Sequence, residues 1–103
     1  NACYAVWKKW QNAPEGYSPE IMVTLEKLDK RIVLSIRDNG EGMSPEVKRK
    51  LFDSFFTTKP VGQGTGLGMA IVRDIIENKH HGKVLFDSVL HEYTCFRFII
   101  PLA

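Results

Sequence analysis

No stretch of this chain stays apolar for the roughly 18 residues that a membrane-crossing helix needs, and no signal-peptide pattern is visible in it. Cysteine is scarce: Cys3 and Cys95 stand far apart without CxxC spacing. They read as reduced core thiols of a reducing compartment, in preference to a disulfide. No His/Cys cluster has the spacing of a metal site. A net charge of +2 with scattered basic residues leaves no electrostatic footprint for nucleic acid. Internal repeats and low-complexity segments are missing as well. What remains is a single domain, since 103 residues with 44% hydrophobic content bury one core with little stability to spare. The chain opens inside a helical pattern, with neither a cap nor an initiating methionine, and so reads as a piece of a longer polypeptide.

Glycine, by contrast, is concentrated. Gly62, Gly64, Gly66 and Gly68 alternate within Thr57–Ala70, just ahead of an amphipathic segment, Leu67 to Lys79. Glycines let a backbone approach a ligand closely, and a helix N-terminus presents free N–H groups and a positive dipole end to an anion. The stretch is a phosphate cradle in outline, but not one of the familiar ones. A dinucleotide loop, G-x-G-x-x-G, fails because its last position falls on Leu67 or Met69; a P-loop fails because no Lys-Ser/Thr follows. The protein-kinase loop fails on the same spacing and lacks an HRD segment.

Along the rest of the chain, Asn1 to Asn12 has Cys3, Val6, Trp7 and Trp10 on one helical stripe. That places the tryptophans in the core or at a domain interface. Ile21–Leu28 and Arg31–Asp38 alternate as two strands of a hairpin. Period-2 arithmetic puts Asp38 on the face of Ile32, Leu34 and Ile36, where a carboxylate needs a partner. Asn39-Gly40-Glu41-Gly42 follows as a glycine-rich turn. Ser44-Pro45-Glu46 starts a short helix ending near Leu51 to Asp53. The Leu67–Lys79 helix turns Leu67, Ile71, Val72, Ile75 and Ile76 inward. Two strands, Lys83–Val89 and Tyr93–Leu102, close the chain. The order α-ββ-α-α-ββ predicts an α+β fold, a two-layer sandwich with helices on one face of a mostly antiparallel sheet.

Four segments in this order carry a resemblance: Asn1-Ala-x-x-Ala5, Asp38-Asn-Gly-Glu-Gly42, Leu51-Phe-Asp-Ser-Phe-Phe-Thr-Thr-Lys59 and Gly64-Thr-Gly-Leu-Gly68. They resemble the N, G1, F and G2 boxes of the ATP-binding catalytic domain of sensor histidine kinases, in the GHKL ATPase superfamily. The resemblance covers nearly the whole chain and implies the Bergerat fold, a mixed, mostly antiparallel sheet under helices. It implies ATP and Mg²⁺ as cofactors, with Asn1 as the Mg²⁺ ligand and Asp38 accepting a hydrogen bond from the adenine amine. Gly40 and Gly42 then pass close to the base. Phe52, Phe55 and Phe56 sit at the base of an ATP lid. Gly64, Gly66 and Gly68 hinge that lid, and Thr65, Leu67 and Lys59 join the nucleotide site. Lys8 lies outside the family's motifs: it is within reach of phosphate from the Asn1 face of the helix, but reads first as a solvated charge.

The implied activity is transfer of the ATP γ-phosphoryl to a histidine on a separate dimerisation domain of the parent, with a response-regulator receiver domain downstream. The setting is a cytoplasmic domain, whether or not the parent is membrane-anchored, with a homodimeric parent, a monomeric fragment and no nucleic-acid partner. The start of the N-box helix, the preceding strand and the residue often assigned a catalytic role are not in this sequence, so the catalytic group is unknown. The F box reads Phe-Asp-Ser-Phe where Phe-Glu-Pro-Phe is commoner, and His81-Gly82-Lys83 stands where His-Gly-Gly is usual. Other GHKL ATPases, a serine kinase, and a non-catalytic nucleotide-sensing module are the alternatives. His80 and His81 read as a helix-terminal pair favourable to the dipole, not as phosphoacceptors. Taken alone, Asp38 has a plainer reading, as the cap of its own turn.

Overall fold

The computed structural model describes residues 2–12, 16–53 and 68–102. Helix α1 (Ala2–Asn12) is followed by strands β1 (Ile21–Leu28) and β2 (Arg31–Asp38), the short helix α2 (Pro45–Lys50), and helix α3 (Gly68–Arg73). A π-helical segment (Asp74–Lys79) continues α3, and strands β3 (Lys83–Val89) and β4 (Tyr93–Pro101) complete the chain. The strands lie in the order β1-β2-β4-β3, antiparallel at each described pairing. This is the expected α+β architecture.

Local chemistry explains the helix ends. Ser44 is extended at φ −69°, ψ 162°, and its hydroxyl accepts the Val47 N–H at 3.2 Å while Pro45 occupies the first turn. The π-helical segment ends where the Gly82 N–H donates to the Ile76 carbonyl at 2.8 Å, with His81 in the left-handed region at φ 57°.

The cross-strand register divides the sheet into two faces. Ile32, Leu34, Ile36 and Asp38 of β2 share one face with Ile21, Val23 and Leu25 of β1, Thr94, Phe96 and Phe98 of β4, and Val84, Phe86 and Ser88 of β3. The alternation argument for Asp38 therefore holds. This inner face packs against the helical layer. α1 lies on β1 and β2, the π-helical segment lies on β3 and β4, and the Phe52 ring after α2 meets Phe86 edge-on at 5.9 Å. Phe86, Phe96 and Phe98 continue the aromatic contact across the two strands. On the outer face, Cys95 is free and buried between its cross-strand partners Arg37 and Asp87. Tyr93 is engaged there from both sides: its hydroxyl donates to Asp87, and the Arg37 guanidinium lies 4.2 Å from its ring centre.

Helix burial departs from the sequence expectation in two places. Of the two readings of Trp7 and Trp10, the core one fails, since they are 50% and 58% exposed, and the domain-interface one stands. α1 buries Val6, while both tryptophans of its stripe stay exposed. Ile71 and Ile75 are likewise exposed, because α3 and its π-helical continuation meet the sheet along the neighbouring i, i+4 row of Val72 and Ile76. Each helix covers one row of side chains, and an apolar stripe wider than that row stays in water. Lys8 forms an ion pair with Glu41 at 3.6 Å, which ties it to the turn after β2.

Candidate functional site: a buried carboxylate in a braced turn

Three of the most buried side chains in the described structure are polar. Asp38 is 4% exposed, Ser88 2% and Thr94 6%. The register makes these three one row across the inner face, Asp38 opposite Thr94 and Thr94 opposite Ser88. Such a row at the end of a sheet persists only if its polar atoms are paired, because an unmet buried polar group costs about 1–3 kcal/mol. The pairing is complete: no buried side-chain polar atom among the described residues lacks a partner. Ser88 Oγ donates to the Tyr93 carbonyl at 2.7 Å, accepts the Met43 N–H at 2.9 Å, and lies 2.9 Å from Thr94 Oγ1.

Asp38 Oδ1 accepts the Gly40 N–H at 2.9 Å, so the turn-capping reading is correct as far as it goes. Burial raises the Asp38 pKa above its ordinary value, and the Gly40 hydrogen bond and the positive charge of Lys9 work against that rise. The turn it caps is held on every side. The Asn39 side chain accepts the Glu20 N–H at 2.8 Å and donates to the Ser18 carbonyl at 2.8 Å, pinning the α1–β1 connection. Tyr17 donates from its hydroxyl to Asn39, and the His91 N–H of the β3–β4 loop donates to the Glu41 carbonyl.

Both turn glycines are required by packing. A Cβ on Gly40 would stand 2.7 Å from the Ala5 carbonyl carbon and 2.8 Å from Asp38 Oδ1, so α1 and the turn touch where neither has a side chain to spare. Gly42 has φ +68° and its missing Cβ would overlap the Val89 carbonyl. Ala5 of α1 and Gly40 of the turn, remote in sequence, are thus in direct contact.

Of the residues named from sequence, Asp38, Gly40 and Gly42 come together here, and Gly68 opens α3. Asn1, Phe55, Phe56, Lys59, Gly64, Thr65, Gly66 and Leu67 lie outside the described residues. Phe52 is described, packed on Phe86 and under the Arg73 guanidinium. Sequence reasoning missed Ser88, Thr94, Tyr17 and Lys9. The only available signal was the alternation that sets Thr94 and Ser88 on the Phe96/Phe86 face, and it does not say which row meets Asp38.

Comparison with known proteins agrees with this fold. Residues 3–103 match the family described as histidine kinase-, DNA gyrase B-, and HSP90-like ATPase. The chain is 40% identical over 83 residues to the methanogenesis regulatory histidine kinase FilI of Methanothrix harundinacea, covering 81% of this chain and 9% of that protein. It superimposes on the nucleotide-free catalytic domain of the histidine kinase ThkA with a TM-score of 0.69 at 37% identity, covering 89% of this chain and 60% of that one. Full-length ShkA in complex with AMPPNP gives 0.69 at 29% identity, covering 84% of this chain and 18% of that one. The chain spans about a tenth of the length of FilI, as it does of other curated relatives. It belongs to the histidine kinase-, DNA gyrase B- and HSP90-like ATPase family, as an ATP-binding domain of the kind found in sensor histidine kinases.

Proposed function

We propose that this chain binds Mg-ATP with the adenine amine on Asp38 and presents the γ-phosphoryl to a histidine carried on a separate domain of its parent protein. The observation that carries the reading is the Asp38 carboxylate: buried on the inner sheet face, it is assigned a single protein donor among the described residues, the Gly40 N–H. A buried carboxylate acceptor fits an exocyclic amine, which brings a donor and no charge. Gly40 and Gly42 keep the turn clear of side chains beside it.

ATP supplies the phosphoryl group, and this chain's own part is positioning and charge stabilisation. Asp38 orients the base, and the 57–68 glycine segment would close over the phosphates as a lid. Asn1 would hold Mg²⁺, an ion that prefers oxygen donors together with substrate phosphates. Among the described residues no cluster of His, Cys, Asp or Glu has the makings of a metal site, so the assignment rests on Asn1 alone. The acceptor histidine, the receiver domain downstream, the homodimeric parent and the cytoplasmic setting belong to the same proposal. Val23 and Leu25 stand 63% and 68% exposed on the inner sheet face, which fits additional chain of the parent packing there.

Calorimetric titration with a non-hydrolysable Mg-ATP analogue tests the site. Asp38→Asn, which offers the adenine amine an amide in place of a carboxylate, is expected to lower affinity about tenfold or more. Equal binding by the two proteins would overturn the adenine assignment. Adding the histidine-bearing domain in trans should yield acid-labile phosphate on that domain, while the chain alone gives weak or no autophosphorylation. Nucleotide binding without any transfer would favour the nucleotide-sensing module.

A further inference from the structure

Lys9 is half-buried and forms no ion pair with a carboxylate among the described residues. Its ammonium donates instead to two backbone carbonyls, Asn39 O at 3.2 Å and His91 O at 2.8 Å, and stands 4.8 Å from the centre of the Tyr17 ring. A lysine on a helix face is most often a solvated charge. This one has exchanged water for two carbonyl dipoles and an aromatic face, and those partners come from three separate segments.

The choice of carbonyl matters. Asn39 O belongs to the same peptide group as the Gly40 N–H, and that N–H is the donor to Asp38 Oδ1. A cation on the oxygen of a peptide polarises it and strengthens the donor at its nitrogen. The Tyr17 hydroxyl adds a second donor to the same oxygen at 3.0 Å. A continuous chain of bonds therefore runs from the Lys9 ammonium through one peptide plane to the carboxylate. The second Lys9 bond ties this plane to the β3–β4 loop, whose His91 N–H in turn donates to the Glu41 carbonyl.

We propose that Lys9 is a positioning residue for nucleobase selection: it locks the Asn39–Gly40 peptide so that Asp38 is held to receive an exocyclic purine amine. The inference rests on the adenine reading of Asp38 and adds the residue that makes the acceptor rigid. Without Lys9 the Asn39–Gly40 peptide rotates more freely and Asp38 loses its fixed geometry. The phosphate end of the nucleotide is untouched.

The test compares two nucleotides on the same chain, an ATP analogue and purine riboside triphosphate, which lacks the 6-amino group. The wild-type chain is expected to prefer the adenine nucleotide. Lys9→Met should lose about tenfold in affinity for the ATP analogue and less than about twofold for the purine riboside nucleotide, so that the preference collapses. Lys9→Arg, which keeps a cation with several donors, should retain most of it. Lys9→Gln provides an uncharged variant that still donates to one carbonyl, with unfolding midpoints measured for all. Lys9→Met combined with Asp38→Asn should bind no more weakly than Asp38→Asn alone. Equal losses for both nucleotides, or an intact preference in folded Lys9→Met and Lys9→Gln, would overturn the positioning role while leaving the adenine reading standing. A wild-type chain without any preference would overturn both.

Discussion

The Asp38–Gly42 turn lies at one end of the sheet and strand β1 along its edge, and they are built in opposite ways. The turn is polar in sequence and buried in the structure, with Asp38, Gly40 and Met43 all shielded. β1 is apolar in sequence, yet all eight of its residues are exposed. Hydrophobicity sets what a segment gains from being covered; whether it is covered depends on what lies above it. The turn sits between α1 and the β3–β4 loop, and each donates hydrogen bonds to it. Among the described residues β1 has a neighbour on one edge only, and α1 reaches little of its length. On the proposed reading, the braced region offers a ligand its recognition group, while the open region leaves room for further chain to pack.

Substitutions that invade the turn should have the largest effects. Gly42→Ala forces a side chain into the left-handed region and against the Val89 carbonyl, at an expected cost of about 3 kcal/mol. Denaturant unfolding measures this. Met43→Ala, which empties a site that is 8% exposed, should cost about 2–4 kcal/mol in the same assay. Leu25→Ala on β1 should change stability by less than about 0.5 kcal/mol. Comparable losses for Met43 and Leu25 would erase the contrast between the two regions.

Asp38 sharpens the comparison through pH. Burial raises its pKa above the ordinary 3.8, so over the interval just above pH 3.8 the folded chain holds a proton that the unfolded chain has released. Its contribution to stability is therefore greatest below pH 3.8 and is lost as the pH climbs through the raised value. Asp38→Asn carries no such dependence. The variant should gain stability relative to the wild type between pH 4 and pH 7, while binding nucleotide less well at neutral pH. Parallel unfolding curves for the two proteins across that range would contradict the burial of the carboxylate.

A small effect of the opposite sign is expected at the far end of the sheet. His81 holds φ 57°, a conformation that costs an ordinary L-residue about 1–2 kcal/mol. Part of the relief from His81→Gly is offset by the greater freedom of glycine in the unfolded chain. A net gain of about 0.5 kcal/mol is expected, read as a small rise in unfolding midpoint with nucleotide affinity unchanged.

Much of the fold was legible in the residues themselves. Strand periodicity located β1, β2, β3 and most of β4 to the residue or nearly so. Ser44 and Pro45 announced α2, and the same periodicity put Asp38 on the inner face. Helix burial was legible only in part. Apolar spacing identified α1 and α3, but it named Ile71 and Ile75 as inward when the structure leaves them in water. A stripe records which side chains avoid water, and the area of the covering surface lies elsewhere in the chain.

The site divides along the same line. Local sequence alone determined that a carboxylate ends β2 on the core face and that a glycine-rich turn follows, because strand alternation and turn chemistry act over a few residues. Only the tertiary structure decided why those glycines are needed, since the atoms that exclude a Cβ belong to Ala5 and Val89. It also decided that Ser88 and Thr94 complete the polar row and that Lys9 grips the turn, contacts spanning 30 residues to Asn39 and 82 to His91. Pairing register and helix docking bring such groups together. Both are collective outcomes of packing the whole sheet, which no local pattern encodes.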